Sequence, residues 1–119
     1  MADVDGTLLD SDQKVDPQTV QAIKDIREQG ILFGLCTGRE EQSVLNALPE
    51  WGIEGLVDVV ISSGGAALYD QPLDDRVHFG ALSEKTILQG MEHHQDQKVN
   101  FVIPDAGILY TTVDDDLIR

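Results

Sequence analysis

The spacing of apolar residues changes along this chain, and its first half alternates continuous apolar runs with helical patterns. Residues 31–36, ILFGLC, and residues 56–62, LVDVVIS, are apolar nearly throughout. Such runs are typical of strands that are buried on both faces of a parallel sheet. Residues 16–30 and 39–48 instead place their apolar side chains on one face of a helix. We therefore predict alternating strands and helices over this half of the chain.

The first of these helices has residues at both ends that favour its start and its stop. Asp16 is suited to cap the N-terminus, Pro17 fits the first helical position, and Gly30 fits the C-terminal stop. Pro49 ends the second helix. With a first strand that ends at Asp3, the order is strand, helix, strand, helix, strand, which predicts a right-handed parallel α/β unit.

From about residue 68 the pattern changes to short runs of β-branched and aromatic residues, which predict strands joined in hairpins. These runs are ALYD, RVHF, VNFVI and ILYTTV, and the last two flank a PDAG turn. Ser83 fits the N-cap of a helix from Glu84 to about His94. The apolar residues expected to face inward on this helix are Ile87, Leu88 and Met91.

The strongly negative net charge of the chain limits the classes of molecule that it is expected to bind. There are 22 acidic and 8 basic residues, which give a formal net charge of -14 and a pI near 4.2. This balance argues against nucleic acid and anionic membrane surfaces, because both would repel the chain. It does not exclude a small phosphorylated ligand, which backbone N–H groups and a metal ion can hold locally.

The single cysteine and the single tryptophan are both expected to lie in the core. Cys36 cannot form an internal disulfide, and its apolar surroundings predict a buried, inert thiol. Trp51, beside a helix end, is expected to fill space in the packing. No apolar stretch reaches ~20 residues, so the sequence indicates neither export nor membrane insertion. We therefore expect a cytoplasmic protein.

Acidic and hydroxyl side chains follow two of the predicted parallel strands. Asp3 ends the first strand and Thr37 follows the second, and the carboxyl ends of parallel strands share the sheet edge where ligands bind. Asp3 and Asp5 supply the hard oxygen atoms that Mg²⁺ prefers. Gly6 allows a sharp turn beside a ligand, and Thr37 and the Gly38 N–H are suited to phosphate oxygens. The pattern predicts phosphoryl chemistry.

The order of these motifs resembles a known family. D-x-D-G-T-L followed by a strand that ends in T-G-R is similar to the first two motifs of the haloacid dehalogenase-like phosphatases. VDPQTVQAIKDIREQGILFGLCTGR and ISSGGAALYD resemble the Cof-type subgroup. The resemblance implies an α/β fold, with a partial Rossmann-like core and parallel sheet over residues 1–70. It also implies the beginning of an inserted α+β cap over residues 71–119.

The same resemblance implies roles for the residues at its motif positions. Asp3 would be the nucleophile that forms an aspartyl-phosphate, and Asp5 would donate and accept the proton. Both would be metal ligands for Mg²⁺, Asp3 through its carboxylate and Asp5 through its backbone carbonyl. Arg39 is expected further along its helix, in a supporting role. The phosphate-binding site would be formed by Gly6, Thr37 and Gly38.

The chain also departs from the family pattern. The later lysine that neutralises the phosphate and the Gly-Asp-rich metal motif are both missing, and Asp114, Asp115 and Asp116 fit a solvated turn or tail better than a metal site. Gly64 stands where the subgroup usually has Asn. Family members are considerably longer, so we expect a partial chain with an incomplete first strand. The open edge of an incomplete sheet favours homo-oligomers or domain swapping.

Three functions fit these residues. The leading hypothesis is a Mg²⁺-dependent phosphomonoester hydrolase that acts on a small phosphorylated metabolite of the sugar phosphate class. A phosphomutase would share Asp3 and Asp5 but would return the phosphoryl group to the substrate. A non-catalytic phosphate-binding or assembly module, inactive in this partial form, would account for the missing lysine and metal carboxylates. An acidic turn without chemistry is the simplest interpretation of DVDGT by itself.

Overall fold

The computed structural model describes residues 1–105 and 108–113. The chain divides into two compact units, Met1–Phe79 and Gly80–Arg119. No helix within the described ranges is long and apolar enough to cross a membrane.

A five-stranded sheet forms the centre of the first unit. Its strands, in spatial order, are β1 (Ala2–Asp3), β2 (Gly34–Cys36), β3 (Val59–Ser62), β4 (Ala67–Asp70) and β5 (Asp75–His78). The pairs β1–β2 and β2–β3 are parallel, whereas β3–β4 and β4–β5 are antiparallel. The predicted α/β architecture with a parallel sheet is therefore confirmed, with an antiparallel hairpin added at one side.

Two helices connect the parallel strands: α1 (Pro17–Glu28) follows β1, and α2 (Glu41–Ala47) follows β2. Asp16 caps α1 as predicted, because its Oδ1 accepts a hydrogen bond from the Gln18 N–H at 2.7 Å. Gly30 follows α1 with φ +80°, a conformation that glycine adopts without strain. The residues that predict α1 are thus the residues that stabilise its two ends.

The core lies on one face of the sheet, the face that the two helices cover. Leu35 and Val60 are paired in register on β2 and β3, and both are fully buried. Ile23 of α1 and Val44 of α2 belong to the same buried cluster. Trp51 also packs into it with 5% of its surface exposed, so the predicted packing role is confirmed. Removal of this apolar surface from water is the main driving force for the fold.

The opposite face of the sheet is less covered, and this corrects two predictions. The apolar run at residues 31–36 forms a strand only over Gly34–Cys36, and Ile31 at its start is exposed. Cys36 is exposed as well, so the prediction of a buried thiol is wrong. Successive side chains of a strand point to opposite faces, and Leu35 takes the covered one. An apolar run predicts burial without showing which face the rest of the chain covers.

The second unit contains a helix and a hairpin. The helix α3 (Glu84–His93) begins at the predicted cap, because Ser83 Oγ accepts a hydrogen bond from the Thr86 N–H. The strands β6 (Val102–Asp105) and β7 (Ile108–Thr111) pair antiparallel, as the two strand-like runs predict. Two other predictions fall partly or wholly outside the described residues: the PDAG turn, at Ala106 and Gly107, and the acidic run of Asp114, Asp115 and Asp116.

The inward face predicted for α3 is only partly formed. Ile87 and Met91 are half-buried, but Leu88 is 56% exposed, so its predicted inward position is wrong. None of the α3 residues is fully buried. The described part of this unit adds only a two-stranded hairpin to α3, which leaves little apolar surface for a helix to pack against.

The first compact unit extends past residue 70, where the sequence places the end of the core. β5 pairs with β4 along its length and is therefore part of the same sheet. The assignment of residues 1–70 to a phosphatase core and of residues 71–119 to a cap stays a prediction. β5 is also an exposed edge strand, and homo-oligomer formation through a sheet edge likewise stays a prediction.

Candidate active site

The carboxyl ends of the three parallel strands meet at one edge of the sheet. Asp3 ends β1 and is the Cα partner of Cys36, which ends β2. Thr37 follows directly, and its N–H donates to the Ile61 carbonyl of β3 at 2.9 Å. The structure therefore brings Asp3 and Thr37 to one edge, in agreement with their positions after neighbouring strands.

A single π-type turn, Val4–Leu8, follows Asp3 and positions the next acid. The Leu9 N–H donates to the carbonyl of the first turn residue at 3.0 Å, which closes the turn. Gly6 has φ +76° and makes the sharp bend that the sequence predicts. The first and last residues of the turn are buried, whereas Asp3 and Asp5 are exposed. The turn is thus anchored in the core while both carboxylates stay accessible.

The Asp3 carboxylate has one described partner. Thr7 Oγ1 donates to Oδ2 of Asp3 at 3.1 Å. Among the described residues, nothing donates to the other carboxylate oxygen. Oδ1 is therefore accessible to an electrophile or to a cation, and Oδ2 is held by a neutral donor.

Asp5 forms a two-point ion pair with Arg39. Arg39 Nε donates to Asp5 Oδ2 at 2.9 Å, and Nη2 donates to Oδ1 at 2.5 Å. These hydrogen bonds lower the pKa of Asp5; partial burial opposes the shift, and the positive charge of Arg39 adds to it. The same hydrogen bonds raise the pKa of Arg39. Arg39 thus favours the ionised form of Asp5.

Arg39 makes more contacts at this edge than the sequence predicts. It lies before α2 rather than along it, so its expected position in the helix is wrong. The Arg39 N–H donates to Thr37 Oγ1 at 3.1 Å, and the Arg39 carbonyl accepts from the Ser63 N–H at 2.8 Å. The guanidinium also donates to Gln13 Oε1 at 2.8 Å and lies 5.5 Å from the centroid of the Trp51 ring. The sequence signal for this role is an arginine in the loop directly after a strand.

Thr37 and Gly38 form the loop to which the sequence assigns phosphate binding. Thr37 is buried, its Oγ1 accepts the Arg39 N–H, and no described residue accepts a hydrogen bond from its hydroxyl. Gly38 is exposed, with open space where a side chain would stand. A free hydroxyl proton beside an accessible backbone suits an anion. The phosphate-binding role of Gly6, Thr37 and Gly38 stays a prediction.

The end of β3 also contributes to this edge through Ser62, a residue that the sequence analysis does not single out. Ser62 is fully buried, and its Oγ has no hydrogen-bond partner among the described residues. The chain then turns toward the loop after β2, where the Gly64 N–H donates to the Thr37 carbonyl at 3.2 Å. The sequence signal for Ser62 is its place at the end of an apolar strand, in the ISSGGAALYD segment that resembles the Cof-type subgroup.

The metal-binding capacity of this edge rests on two acids. Asp3 offers an exposed carboxylate oxygen, whereas the Asp5 side chain is paired with Arg39. The metal-binding role of the Asp5 backbone carbonyl stays a prediction. The described residues contain no group of three or more His, Cys, Asp or Glu side chains suited to a metal ion. Two hard oxygen donors fit Mg²⁺, which usually keeps several water ligands.

A groove of about 370 Å³ opens on the first unit, and neither candidate catalytic acid lines it. Its walls come from the start of α1 and from the turn after α2, and include Lys14, Lys24 and Trp51. Asp3 and Asp5 therefore lie on an open edge of the sheet and not inside this groove.

Family membership follows from comparison over nearly the whole chain. A family model for haloacid dehalogenase-like hydrolases matches residues 1–117. The chain belongs to this family. The resemblance inferred from the D-x-D-G-T-L and T-G-R motifs is thereby confirmed.

Individual relatives and solved structures are consistent with this family membership. A Mycoplasma pneumoniae protein with a provisional phosphatase name is 35% identical over 112 residues, which cover 91% of this chain and 38% of that protein. A Bacillus subtilis haloacid dehalogenase-like hydrolase superposes with a TM-score of 0.80 at 23% identity, over 98% of this chain and 40% of the other. A sugar phosphatase of HAD subclass IIB superposes with a TM-score of 0.79 at 18% identity, over 98% and 44%. The chain spans 24–38% of the length of the curated relatives it matches.

Proposed function

We propose that this chain is part of a Mg²⁺-dependent phosphomonoester hydrolase that acts through an aspartyl-phosphate on a small phosphorylated metabolite of the sugar phosphate class. The observation that carries the proposal is the pair of exposed carboxylates, Asp3 and Asp5, at the sheet edge that also presents Thr37. Family membership supports hydrolysis, and the superposed sugar phosphatase supports the substrate class.

Asp3 is the proposed nucleophile. Its carboxylate attacks the phosphorus atom, and the new O–P bond forms as the bond to the leaving oxygen breaks. Thr7 holds one carboxylate oxygen at 3.1 Å, which orients the other for attack. Bound Mg²⁺, held by the Asp3 carboxylate and the Asp5 carbonyl, would offset the repulsion between two anions.

Asp5 is the proposed carrier of the proton. It first gives a proton to the leaving oxygen. It then takes a proton from the water that attacks phosphorus, a step that releases Asp3 and inorganic phosphate. Arg39 favours the carboxylate form of Asp5, which suits this second step directly. The first step needs the acid form of Asp5. The contact between Arg39 and Asp5 therefore has to loosen before the leaving oxygen is protonated. Attraction of the Arg39 guanidinium to the bound phosphate would loosen this contact.

Thr37 and Gly38 are the proposed ligands of the phosphate oxygens. The Thr37 hydroxyl has its proton available, since Oγ1 acts only as an acceptor toward the Arg39 N–H. The Gly38 backbone is exposed beside it. Hydrogen bonds of this kind stabilise the charge that develops on the transferring phosphoryl group.

The test is release of inorganic phosphate from p-nitrophenyl phosphate and from a panel of sugar phosphates, with Mg²⁺ and with excess chelator. We expect turnover that needs Mg²⁺ and is abolished by Asp3→Asn. Asp12→Asn is the matched control, because Asp12 is another exposed acid a few residues further along the chain. Equal background rates for the unsubstituted chain and Asp3→Asn would reject the proposal, and isomer formation without phosphate release would indicate a phosphomutase. The cytoplasmic location and the exclusion of nucleic acid and membranes stay predictions.

A further inference from the structure

Ser62 is a buried polar residue whose hydroxyl is not hydrogen-bonded to any described residue. It is fully buried, and its Oγ has no hydrogen-bond partner among the described residues. A buried hydroxyl without a partner loses its hydration and gains nothing in return, so an alanine would cost less at this position. The feature therefore needs an explanation other than packing.

The position of Ser62 relates it to Thr37. Leu35 and Val60 are Cα partners in the parallel pair β2–β3, and both point into the core. The hydrogen bond from the Thr37 N–H to the Ile61 carbonyl continues this ladder past the end of β2. Thr37 and Ser62 each come two residues after a member of the Leu35–Val60 pair, so they lie on the same face of neighbouring strands. Both are buried there.

The Thr37 hydroxyl has one acceptor position left for such a neighbour, besides its own proton. A hydroxyl can accept two hydrogen bonds and donate one. Thr37 Oγ1 accepts one, from the Arg39 N–H at 3.1 Å. A second donor would fill the remaining acceptor position of Thr37 Oγ1. The hydroxyl proton of Thr37 would then be directed at a ligand.

The loop after Ser62 ties the two strand ends together. The Ser63 N–H donates to the Arg39 carbonyl at 2.8 Å, and the Gly64 N–H donates to the Thr37 carbonyl at 3.2 Å. Ser63 has φ +52°, a conformation that residues other than glycine rarely adopt. A strained residue that holds two loops together suggests that the relative position of these loops matters.

We propose that Ser62 is a positioning residue for phosphate binding, whose hydroxyl donates to Thr37 Oγ1 when the Thr37 proton is given to a phosphate oxygen. This inference rests on the proposed function. It explains why the sheet edge retains a buried hydroxyl without a partner: the hydrogen bond is made in the phosphate complex, in which each donor strengthens the next.

The experiment compares Ser62→Ala with Ser43→Ala, a control at an exposed serine of α2. Each variant is titrated with inorganic phosphate in the presence of Mg²⁺, and the NMR shifts of the Thr37 and Gly38 amides are followed. Each is also unfolded in urea without phosphate. For Ser62→Ala we expect the dissociation constant for phosphate to rise about three- to tenfold, while the urea midpoint stays equal or rises. Ser43→Ala should leave the affinity unchanged.

A second comparison separates positioning from packing. In a Thr37→Val background, Ser62→Ala should have no further effect on phosphate affinity, because Ser62 acts only through the Thr37 hydroxyl. An unchanged affinity in Ser62→Ala, a parallel loss of affinity and stability, or an additive effect with Thr37→Val would each overturn the inference while the phosphate site stands. Failure of the unsubstituted chain to bind phosphate would overturn the site and the inference together.

Discussion

Arg39 binds the Asp5 carboxylate with two nitrogens of one guanidinium, although the two residues lie 34 positions apart in the sequence. The pair joins the loop after β1 to the loop after β2. Through its N–H, Arg39 also holds the hydroxyl of Thr37. One residue therefore contacts both the proposed proton carrier and the proposed phosphate ligand.

The first prediction concerns the pKa of Asp5. Arg39→Gln removes the charge and the two-point contact, which lower the pKa of Asp5 in the present structure. We therefore expect the pKa of Asp5 to rise toward the usual aspartate value, as measured by a carboxyl ¹³C NMR titration. Asp58 is the internal control, since Arg27 and not Arg39 lowers its pKa. An Asp5 pKa that does not move in Arg39→Gln would show that the ion pair does not persist in solution.

The second prediction concerns the leaving group of the proposed reaction. Asp5→Asn removes the proton carrier, so hydrolysis of alkyl phosphates such as sugar phosphates should slow by about 10²- to 10⁴-fold. The release of p-nitrophenol should slow less, because this leaving group departs without a proton. The measurement is the ratio of kcat/KM for the two substrate types, with Asp12→Asn as the control. Equal losses for both substrates would remove Asp5 from the role of acid.

The third prediction concerns the Arg27–Asp58 ion pair, which joins α1 to the segment before β3. Asp58 is buried, pairs with Arg27, and accepts a hydrogen bond from the Phe33 N–H at 2.7 Å. Asp58→Asn should lower the free energy of unfolding by about 1–3 kcal/mol, because hydrogen bonds to a charged group are lost. Urea denaturation measures the change. The control is Asp25→Asn, at an exposed position of α1, the helix that carries Arg27. This substitution should change the free energy of unfolding by less than about 0.5 kcal/mol.

The fourth prediction is the pH dependence of that stabilisation. Burial raises the pKa of Asp58, but the hydrogen bonds from Arg27 and from the Phe33 N–H outweigh it, and the pKa lies below the usual 3.8. The folded state therefore binds this proton less readily than the unfolded chain does. The stabilisation is complete above pH 3.8 and is lost as the pH falls through the folded-state pKa. The urea midpoint of Asp58→Asn should fall less steeply in acid than that of the unsubstituted chain; parallel curves would contradict this.

The fifth prediction concerns the thiol of Cys36. The side chain is exposed, so a maleimide reagent should modify one thiol per chain under native conditions. The rate should approach that of the unfolded chain, because no core residue has to move aside. Mass spectrometry after timed quenching gives the two rates. If the thiol reacts only in denaturant, Cys36 is buried, as the sequence predicts, and the exposed position is wrong.

Local signals in the sequence predict the elements of the first unit well. Asp16, Pro17 and Gly30 mark α1 because their effects act within a few residues and do not depend on the rest of the fold. The meeting of Asp3 with Thr37 is also predictable, since parallel strands place their carboxyl ends at one edge. The family resemblance adds the chemical interpretation.

The failures involve contacts between segments that are distant in the sequence. The exposure of Cys36 depends on which sheet face the helices cover, and an apolar run carries no information on that choice. The contact of Arg39 with Asp5 depends on the direction of a long side chain across two loops. The isolated hydroxyl of Ser62 likewise follows from the register of β3 against β2 and from no local motif.

Trp51 is placed so that its intrinsic fluorescence should report on the position of the Arg39 side chain. It is the only tryptophan, it is nearly fully buried, and the guanidinium that binds Asp5 lies 5.5 Å from its ring. A charge near an indole ring shifts its emission, so we expect movement of Arg39 to change the intrinsic fluorescence of the protein. The proposed release of Asp5 from Arg39 should thus be visible in real time in the unlabelled chain.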